Sequence, residues 1–244
     1  MLKKLFDKDQ VWFAVVWIMI YVVGFSNADA LSDSIGVPKL LTVLFGLVMA
    51  TVLYGFIRRN HLFRYFGLCK VKENCKNLRY FIPLIIISSV NFWNGITLSV
   101  PVLETLLYMI SMCLVGFLEE VIFRGLLFKG MSRSNVTSAM IVSSLTFGMG
   151  HIVNLLLGEP PLDTMLQLVY ASAIGFCYTA IFYVSGSILP CILSHAVVNA
   201  TSAFAAQPTA KAQVVIAVVQ TALSVGYGMW LLHNRKCQAA TSDI

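Results

Sequence analysis

The sequence predicts an all-α integral membrane protein with about eight transmembrane helices in one bundle around a polar intramembrane cavity. Of its 244 residues, 58% are hydrophobic and only 11% are charged, whereas a soluble domain carries about 25% charged residues. The mean hydropathy is +0.82. Since one membrane helix needs about 20 residues, the chain is filled by its spans, and we treat residues 1–244 as a single membrane domain.

Apolar runs separated by polar or Gly/Pro-containing turns define the predicted spans. They cover residues 11–25, 40–57, 80–98, 102–127, 136–157, 164–184, 187–206 and 212–232. Two of the separations contain no charge, namely Ser99-Val100-Pro101 and Ser185-Gly186-Ser187. The first run follows Lys3 and Lys4 as a signal peptide would, but no convincing small-residue cleavage site follows it, so we interpret it as a helix.

The distribution of Lys and Arg predicts that both termini are cytoplasmic. Segment 58–79 contains seven basic residues and a single acidic one, and short cytoplasmic loops carry an excess of Lys and Arg. The basic residues near both termini and after the fourth run fall on the same side, and only Lys39 and Lys211 fall outside. This topological role is the simplest interpretation of segment 58–79, with attraction to anionic lipid headgroups as a minor addition.

The second half of the fourth run contains three charged residues: Glu119, Glu120 and Arg124. A charge at the centre of a span costs about 2.5–3.5 kcal/mol on the insertion scale, so the cluster needs a compensating interaction. Glu120 and Arg124 are four residues apart and share one helix face, which favours an ion pair. Glu119 points about 100° away and is free to face a cavity as a candidate general base. The structural alternative is an ion-pair network that only fixes helix packing.

Two other runs each contain a histidine with an asparagine on the same helix face. Phe147, His151 and Asn154 follow i, i+4, i+7 spacing, and His195 and Asn199 follow i, i+4 spacing. A lone membrane histidine is more often a packing hydrogen-bonder, but two of them beside an unpaired glutamate favour a functional site. Small flanking residues leave room for close helix approach or for a substrate backbone: Gly148, Gly150 and Ala196.

These side chains suit hydrolysis of a peptide bond inside a membrane cavity. Glu119 would take a proton from water, while a neutral histidine and an asparagine amide would orient that water or stabilise the oxyanion. Alternatively, Glu119, His151 and His195 could ligate Zn²⁺ as two histidines and a carboxylate. The sequence lacks the HExxH pattern of a dedicated zinc helix, so a zinc site and a site without a cofactor both stay open at this point.

Three motifs together resemble the signature of a known family. Glu119-Glu120-x-x-x-Arg124, Phe147-x-x-x-His151 and His195-x-x-x-Asn199 are similar in order and spacing to those of the CPBP family. This family, also called Abi, comprises CAAX-type intramembrane proteases and bacteriocin-processing enzymes. The resemblance covers about residues 102–206, and the Phe-Arg-Gly run at 123–125 adds to it.

The resemblance implies an intramembrane endopeptidase acting on a membrane-associated substrate, such as a prenylated or bacteriocin-like protein. Carried over residue by residue, it implies the catalytic set Glu119, His151, His195 and Asn199, supported by Glu120 and Arg124. From their helical spacing we add Phe147 and Asn154 to the supporting residues. The family is commonly labelled metalloprotease. Because only Glu and His are available and no closed ligand shell is evident, we expect a glutamate-activated water without metal, with Zn²⁺ on Glu119, His151 and His195 as the alternative.

Two further functions compete with proteolysis. Some family members act in bacteriocin immunity or as non-catalytic scaffolds. A proton-coupled transporter could use buried Glu, Arg and His as a relay, but the sequence shows no inverted repeat and confines its polar residues to three spans. The expected partners are membrane lipid and a membrane-associated protein or peptide, with no nucleic acid and no particular oligomeric state. We expect a multi-pass protein of a bacterial cell membrane.

Overall fold

A computed structural model describes residues 2–72, 81–97, 101–156 and 158–241, with side chains as far as Asn234. Every regular element in these ranges is helical, which confirms the predicted all-α class. Six of the described helices are long and apolar enough to cross a membrane. Lys76 and Arg79 of the basic loop, and the predicted break at Ser99-Val100, lie outside the described residues.

We number the helices in chain order. They are α1 (Leu2–Lys8), α2 (Gln10–Ser34), α3 (Leu40–Arg59), α4 (Ile82–Ser88), α5 (Val102–Met131), α6 (Val136–Leu156), α7 (Pro161–Ser185), α8 (Leu189–Thr201) and α9 (Ala210–Thr241). The six long helices are α2, α3, α5, α6, α7 and α9.

Polar caps and helix-breaking residues set several of the helix ends. The Asp9 side chain accepts a hydrogen bond from the backbone N–H of Trp12 at the start of α2. At the start of α6, the Asn135 side chain accepts one from the backbone N–H of Ser138. Each cap satisfies a backbone donor that the first helical turn leaves unpaired. Helix α7 ends at Gly186, whose φ of 73° lies in the left-handed region that glycine adopts without strain.

Among the described residues, two of the predicted spans contain only short helices, so the predicted count of eight full spans is not confirmed. In the run 80–98, α4 has seven residues and is followed by a 3₁₀ turn at Val90–Phe92. In the run 187–206, α8 has 13 residues and is followed by a 3₁₀ turn at Ser202–Phe204. Asn and Ser side chains in these segments compete with helical hydrogen bonding, so an apolar run does not make a continuous helix here.

Helices α4 and α8 pack side by side. The Ser88 hydroxyl of α4 lies 2.8 Å from the Ser194 hydroxyl of α8. Beyond the two helices, Ile96 and Ala205 form an isolated antiparallel bridge. The two short elements therefore brace each other, and this pairing holds α8 in place beside α5.

The largest apolar core surrounds the second half of α5. Segment Glu120–Phe128 is a π-helix of nine residues, all of them buried, and it packs against α2 and α6. A segment buried on every side must be apolar all round, which fits its sequence apart from Glu120 and Arg124. Such i→i+5 helices are rare and occur frequently at functional sites.

Candidate active site

Glu120 and Arg124 form the buried ion pair that their spacing predicts. Nη1 of Arg124 donates to Oε1 of Glu120 over 2.9 Å, and both side chains are 0% exposed. The guanidinium also lies over the Phe147 ring, 4.2 Å from its centroid, and over the Tyr178 ring at 5.5 Å. A desolvated cation–π contact contributes about 2 kcal/mol, so a carboxylate and two aromatic rings together compensate the buried charge.

His195 lies between the two glutamates of α5. Its Nδ1 is 2.9 Å from Oε1 of Glu120, and its Nε2 is 3.5 Å from Oε2 of Glu119. An ionised carboxylate only accepts hydrogen bonds, so in its neutral form the imidazole carries its proton on Nδ1 beside Glu120 and accepts at Nε2. Two acceptors then face each other across 3.5 Å. This arrangement suits a molecule that can donate two protons, such as water.

Glu119 points away from Arg124, as its position on the helix predicts. Its side chain is 13% exposed, whereas that of Glu120 is fully enclosed. Oε1 of Glu119 accepts a 2.6 Å hydrogen bond from the hydroxyl of Tyr21 in α2. Oε2 is therefore the oxygen that faces His195.

His151 approaches the same cluster from α6. The α-helix changes to a 3₁₀ turn at Gly150–Ile152, and this turn carries His151. The Phe147 ring packs edge-on against both imidazoles, with centroid distances of 6.0 Å to His151 and 5.6 Å to His195. His151 also interacts electrostatically with Glu119. The structure thus gathers the glutamate and both histidines around one phenylalanine.

The two predicted asparagines have different surroundings. The Asn154 amide donates to Oε1 of Gln167 over 2.7 Å, and no contact between described residues joins it to the cluster. The 3₁₀ turn at Gly150–Ile152 lies between Phe147 and Asn154, so the three residues of the predicted stripe do not share one continuous α-helix. Asn199 lies one turn beyond His195, and no other described residue hydrogen-bonds to its side-chain amide.

Small residues allow α8 to approach α5 closely. A Cβ at Gly116 would lie 2.9 Å from the backbone nitrogen of Ala196 and 3.0 Å from its Cα, so the backbone that follows His195 lies directly against Gly116. Gly148 similarly lies against the backbone of α7, whereas a Cβ at Gly150 would meet nothing within 4 Å. Close helix approach is thus confirmed for Gly148 and Ala196, and Gly150 leaves open space beside His151.

The motif segment has a recognisable relationship to known proteins. Residues 101–201 match the family model described as type II CAAX prenyl endopeptidase Rce1-like. This segment is therefore similar to the CAAX-type membrane proteases. Comparisons with curated proteins and with solved structures found no match. The matched range contains the four residues that the sequence predicts to be catalytic, but it does not include α2.

Some of the atoms that could bind Zn²⁺ at this site are already hydrogen-bonded. Within the described ranges, no group of three or more His, Cys, Asp or Glu residues is arranged to hold a metal ion. Glu120 occupies Nδ1 of His195 and Tyr21 occupies one oxygen of Glu119, which leaves Nε2 of His195 and Oε2 of Glu119 as the two facing atoms. The proposed ligands Glu119, His151 and His195 are thus near one another without forming a ligand shell.

Tyr21 is the member of the cluster that sequence reasoning missed. It is 98 residues from Glu119 in sequence and lies in an apolar run with no polar residue at helical spacing. A tyrosine in such a run is common at the edges of membrane spans. No pattern in the sequence distinguishes it, since the contact depends on how α2 packs against α5.

Proposed function

We propose that the protein is an intramembrane endopeptidase of the CAAX-protease type that hydrolyses a peptide bond of a membrane-associated substrate. The family match of the motif segment supports a membrane protease. The observation that carries the finer proposal is the pair of facing acceptors, Oε2 of Glu119 and Nε2 of His195, 3.5 Å apart. A water that donates to both atoms has one proton directed at a carboxylate.

Glu119 is the general base in this mechanism. As the water oxygen attacks the carbonyl carbon of the substrate, one water proton passes to Oε2 of Glu119. The C–N bond then breaks, and Glu119 returns the proton to the leaving amine nitrogen. General base catalysis by a positioned side chain contributes about 10²- to 10⁴-fold, and no metal takes part in the step.

The remaining polar residues divide between orienting water and stabilising the oxyanion. Neutral His195 accepts at Nε2 and therefore orients the water. An oxyanion needs hydrogen-bond donors, and the Asn199 amide is a donor that no described residue uses. His151, beside the open space at Gly150, supplies the second donor. This assignment gives each member of the cluster one role.

The decisive experiment is cleavage of a farnesylated CAAX peptide, and of a bacteriocin-like peptide, by purified protein in proteoliposomes. We expect wild type to cleave at least one of them and Glu119→Ala to cleave neither. A host phenotype that is unchanged in Glu119→Ala, with no cleavage by wild type, would favour a non-catalytic immunity or scaffold protein. A proton-coupled transporter would instead acidify or alkalinise the vesicles without cleaving peptide.

Both termini lie in the cytoplasm in this proposal, and the substrate enters from that side. A cavity of about 680 Å³ at one end of the bundle is lined by four basic residues: Arg64, Lys70, Lys72 and Lys129. Such clustering is typical of the cytoplasmic face. Cysteines introduced near Asp33 and Glu159 should react with an impermeant reagent from outside, and cysteines near Lys72 and Lys129 should not. The reverse pattern would place the substrate route outside.

A further inference from the structure

The hydroxyl of Tyr21 brings α2 into contact with the proposed general base. Tyr21 is 8% exposed, and its ring packs at a tilt on Phe25 with centroids 4.7 Å apart. Its O–H donates to Oε1 of Glu119 over 2.6 Å. A hydroxyl bound to an ionised carboxylate gives a short hydrogen bond, about twice as strong as one between neutral groups. Glu119 is thus tied to a helix that the family model does not cover.

We propose that Tyr21 is a positioning residue for proteolysis, holding Oε1 of Glu119 so that Oε2 faces the water beside His195. The inference rests on the proposed function of Glu119 as general base. A carboxylate held through one oxygen has only the other oxygen to offer, whereas an untethered carboxylate rotates among several orientations. Misplacing a reacting group by about 1 Å lowers a rate by about 10²-fold, so such a tether acts on the chemical step.

Attachment of α2 to the bundle does not depend on the Tyr21 hydroxyl. The helix also buries Phe13, Ala14 and Trp17 in the core. A second hydrogen bond of the same 2.6 Å length joins α2 to the segment after α3, where the Tyr65 hydroxyl donates to Oε1 of Gln10. The chain therefore contains a matched pair of tyrosine hydrogen bonds on one helix, one at the site and one away from it.

The matched pair gives the kinetic test. In proteoliposomes with a farnesylated CAAX peptide, Tyr21→Phe keeps the ring and removes the hydroxyl, and we expect kcat to fall about 10- to 100-fold, the worth of a hydrogen bond to a charged group. KM should stay within about twofold. Tyr65→Phe removes a hydrogen bond of the same length from the same helix and should keep wild-type kcat. Thermal unfolding of both variants checks that they are equally folded.

The outcomes separate the inference from the function on which it rests. Wild-type kcat in Tyr21→Phe, with Glu119→Gln inactive, would overturn the positioning role and leave the protease intact. An equal fall in Tyr65→Phe would show that α2 has merely loosened, which also overturns it. Cleavage by Glu119→Gln at the wild-type rate would remove the proposed general base, and the inference with it.

An infrared measurement tests the contact without any substrate. The difference spectrum between wild type and Tyr21→Phe should contain a shift of a carboxylate stretching band, because a hydrogen bond to an ionised carboxylate is lost. The shift should be absent when both proteins carry Glu119→Gln, and absent for Tyr65→Phe. A spectrum without the shift would overturn the inference whatever the kinetics.

Discussion

Glu119 and Glu120 are consecutive glutamates that face different sides of α5 and have different surroundings. Glu120 is fully enclosed and accepts from Arg124 and from His195. Glu119 is partly exposed, is held by Tyr21 through one oxygen and keeps the other beside His195. One carboxylate is neutralised and fixed while its neighbour has a free oxygen. The difference shows how stability and chemistry can be divided between adjacent residues of one helix.

The largest effect expected from this comparison is on catalysis at Glu119. Glu119→Gln keeps the shape of the side chain but cannot take a proton, so kcat/KM should fall about 10²- to 10⁴-fold with little change in unfolding. Peptide cleavage measures kcat/KM, and thermal unfolding in the same proteoliposomes measures stability. Glu120→Gln is the matched neighbour, and its main effect should be on stability. Full proteolysis by Glu119→Gln would mean that the base is a different residue.

Next in size is the loss of stability on removing Arg124. Arg124→Ala leaves Glu120 buried without its ion-pair partner, which should lower the free energy of unfolding by about 3–5 kcal/mol. Denaturant unfolding in mixed micelles measures it. The control is Arg58→Ala, an exposed arginine at the end of α3, where the change should stay within about 0.5 kcal/mol. Equal effects at both positions would contradict the structural role of the pair.

A smaller effect is expected at Gly116, where α8 touches α5. The methyl group of Gly116→Ala would meet the backbone of Ala196 at 2.9–3.0 Å, and such overpacking costs about 1–3 kcal/mol. Because the displaced backbone carries His195, peptide cleavage should fall as well. Gly226→Ala, with nothing within 4 Å, should be neutral or slightly stabilising by helix propensity. Unchanged cleavage in folded Gly116→Ala would show that the close approach is not needed.

The smallest effect is expected from chelation. Extensively chelated protein should keep its peptidase activity, whereas His151→Ala and His195→Ala should lose it, because the histidines act on water and oxyanion rather than on a metal. Metal content and activity are measured on one preparation. Stoichiometric zinc, lost together with activity and restored with it, would replace the metal-free mechanism without removing the protease proposal.

The features that could be predicted from the sequence depend on the spacing of residues within one helix. The Glu120–Arg124 pair follows from two charges one turn apart in an apolar run. The long helices follow from apolar runs of sufficient length. His195 is found because a charged or polar side chain in a span is rare enough to need a reason. Each of these signals lies within a single helix.

The parts that were not predicted depend on packing between distant segments. The π-helical turn at Glu120–Phe128 has an apolar sequence that would suit an ordinary α-helix. The breaks in α4 and α8 arise where the two elements brace each other through Ser88 and Ser194. The Tyr21 contact joins residues 98 positions apart. Hydrophobic periodicity indicates which face of a helix is buried, but it does not indicate which other helix packs against that face.

Because α8 is short, the thickness of the surrounding lipid bilayer bears on the candidate site that this helix carries. Thirteen residues rise about 20 Å, while the hydrocarbon layer is about 30 Å thick. Its exposed apolar residues form one stripe along the helix: Leu189, Leu193 and Val197. This apolar surface is shorter than the hydrocarbon layer beside it. Local thinning of the bilayer is one response to such a mismatch, and it would bring headgroups and water toward His195. We therefore expect peptide cleavage to be slower in proteoliposomes made from lipids with longer acyl chains.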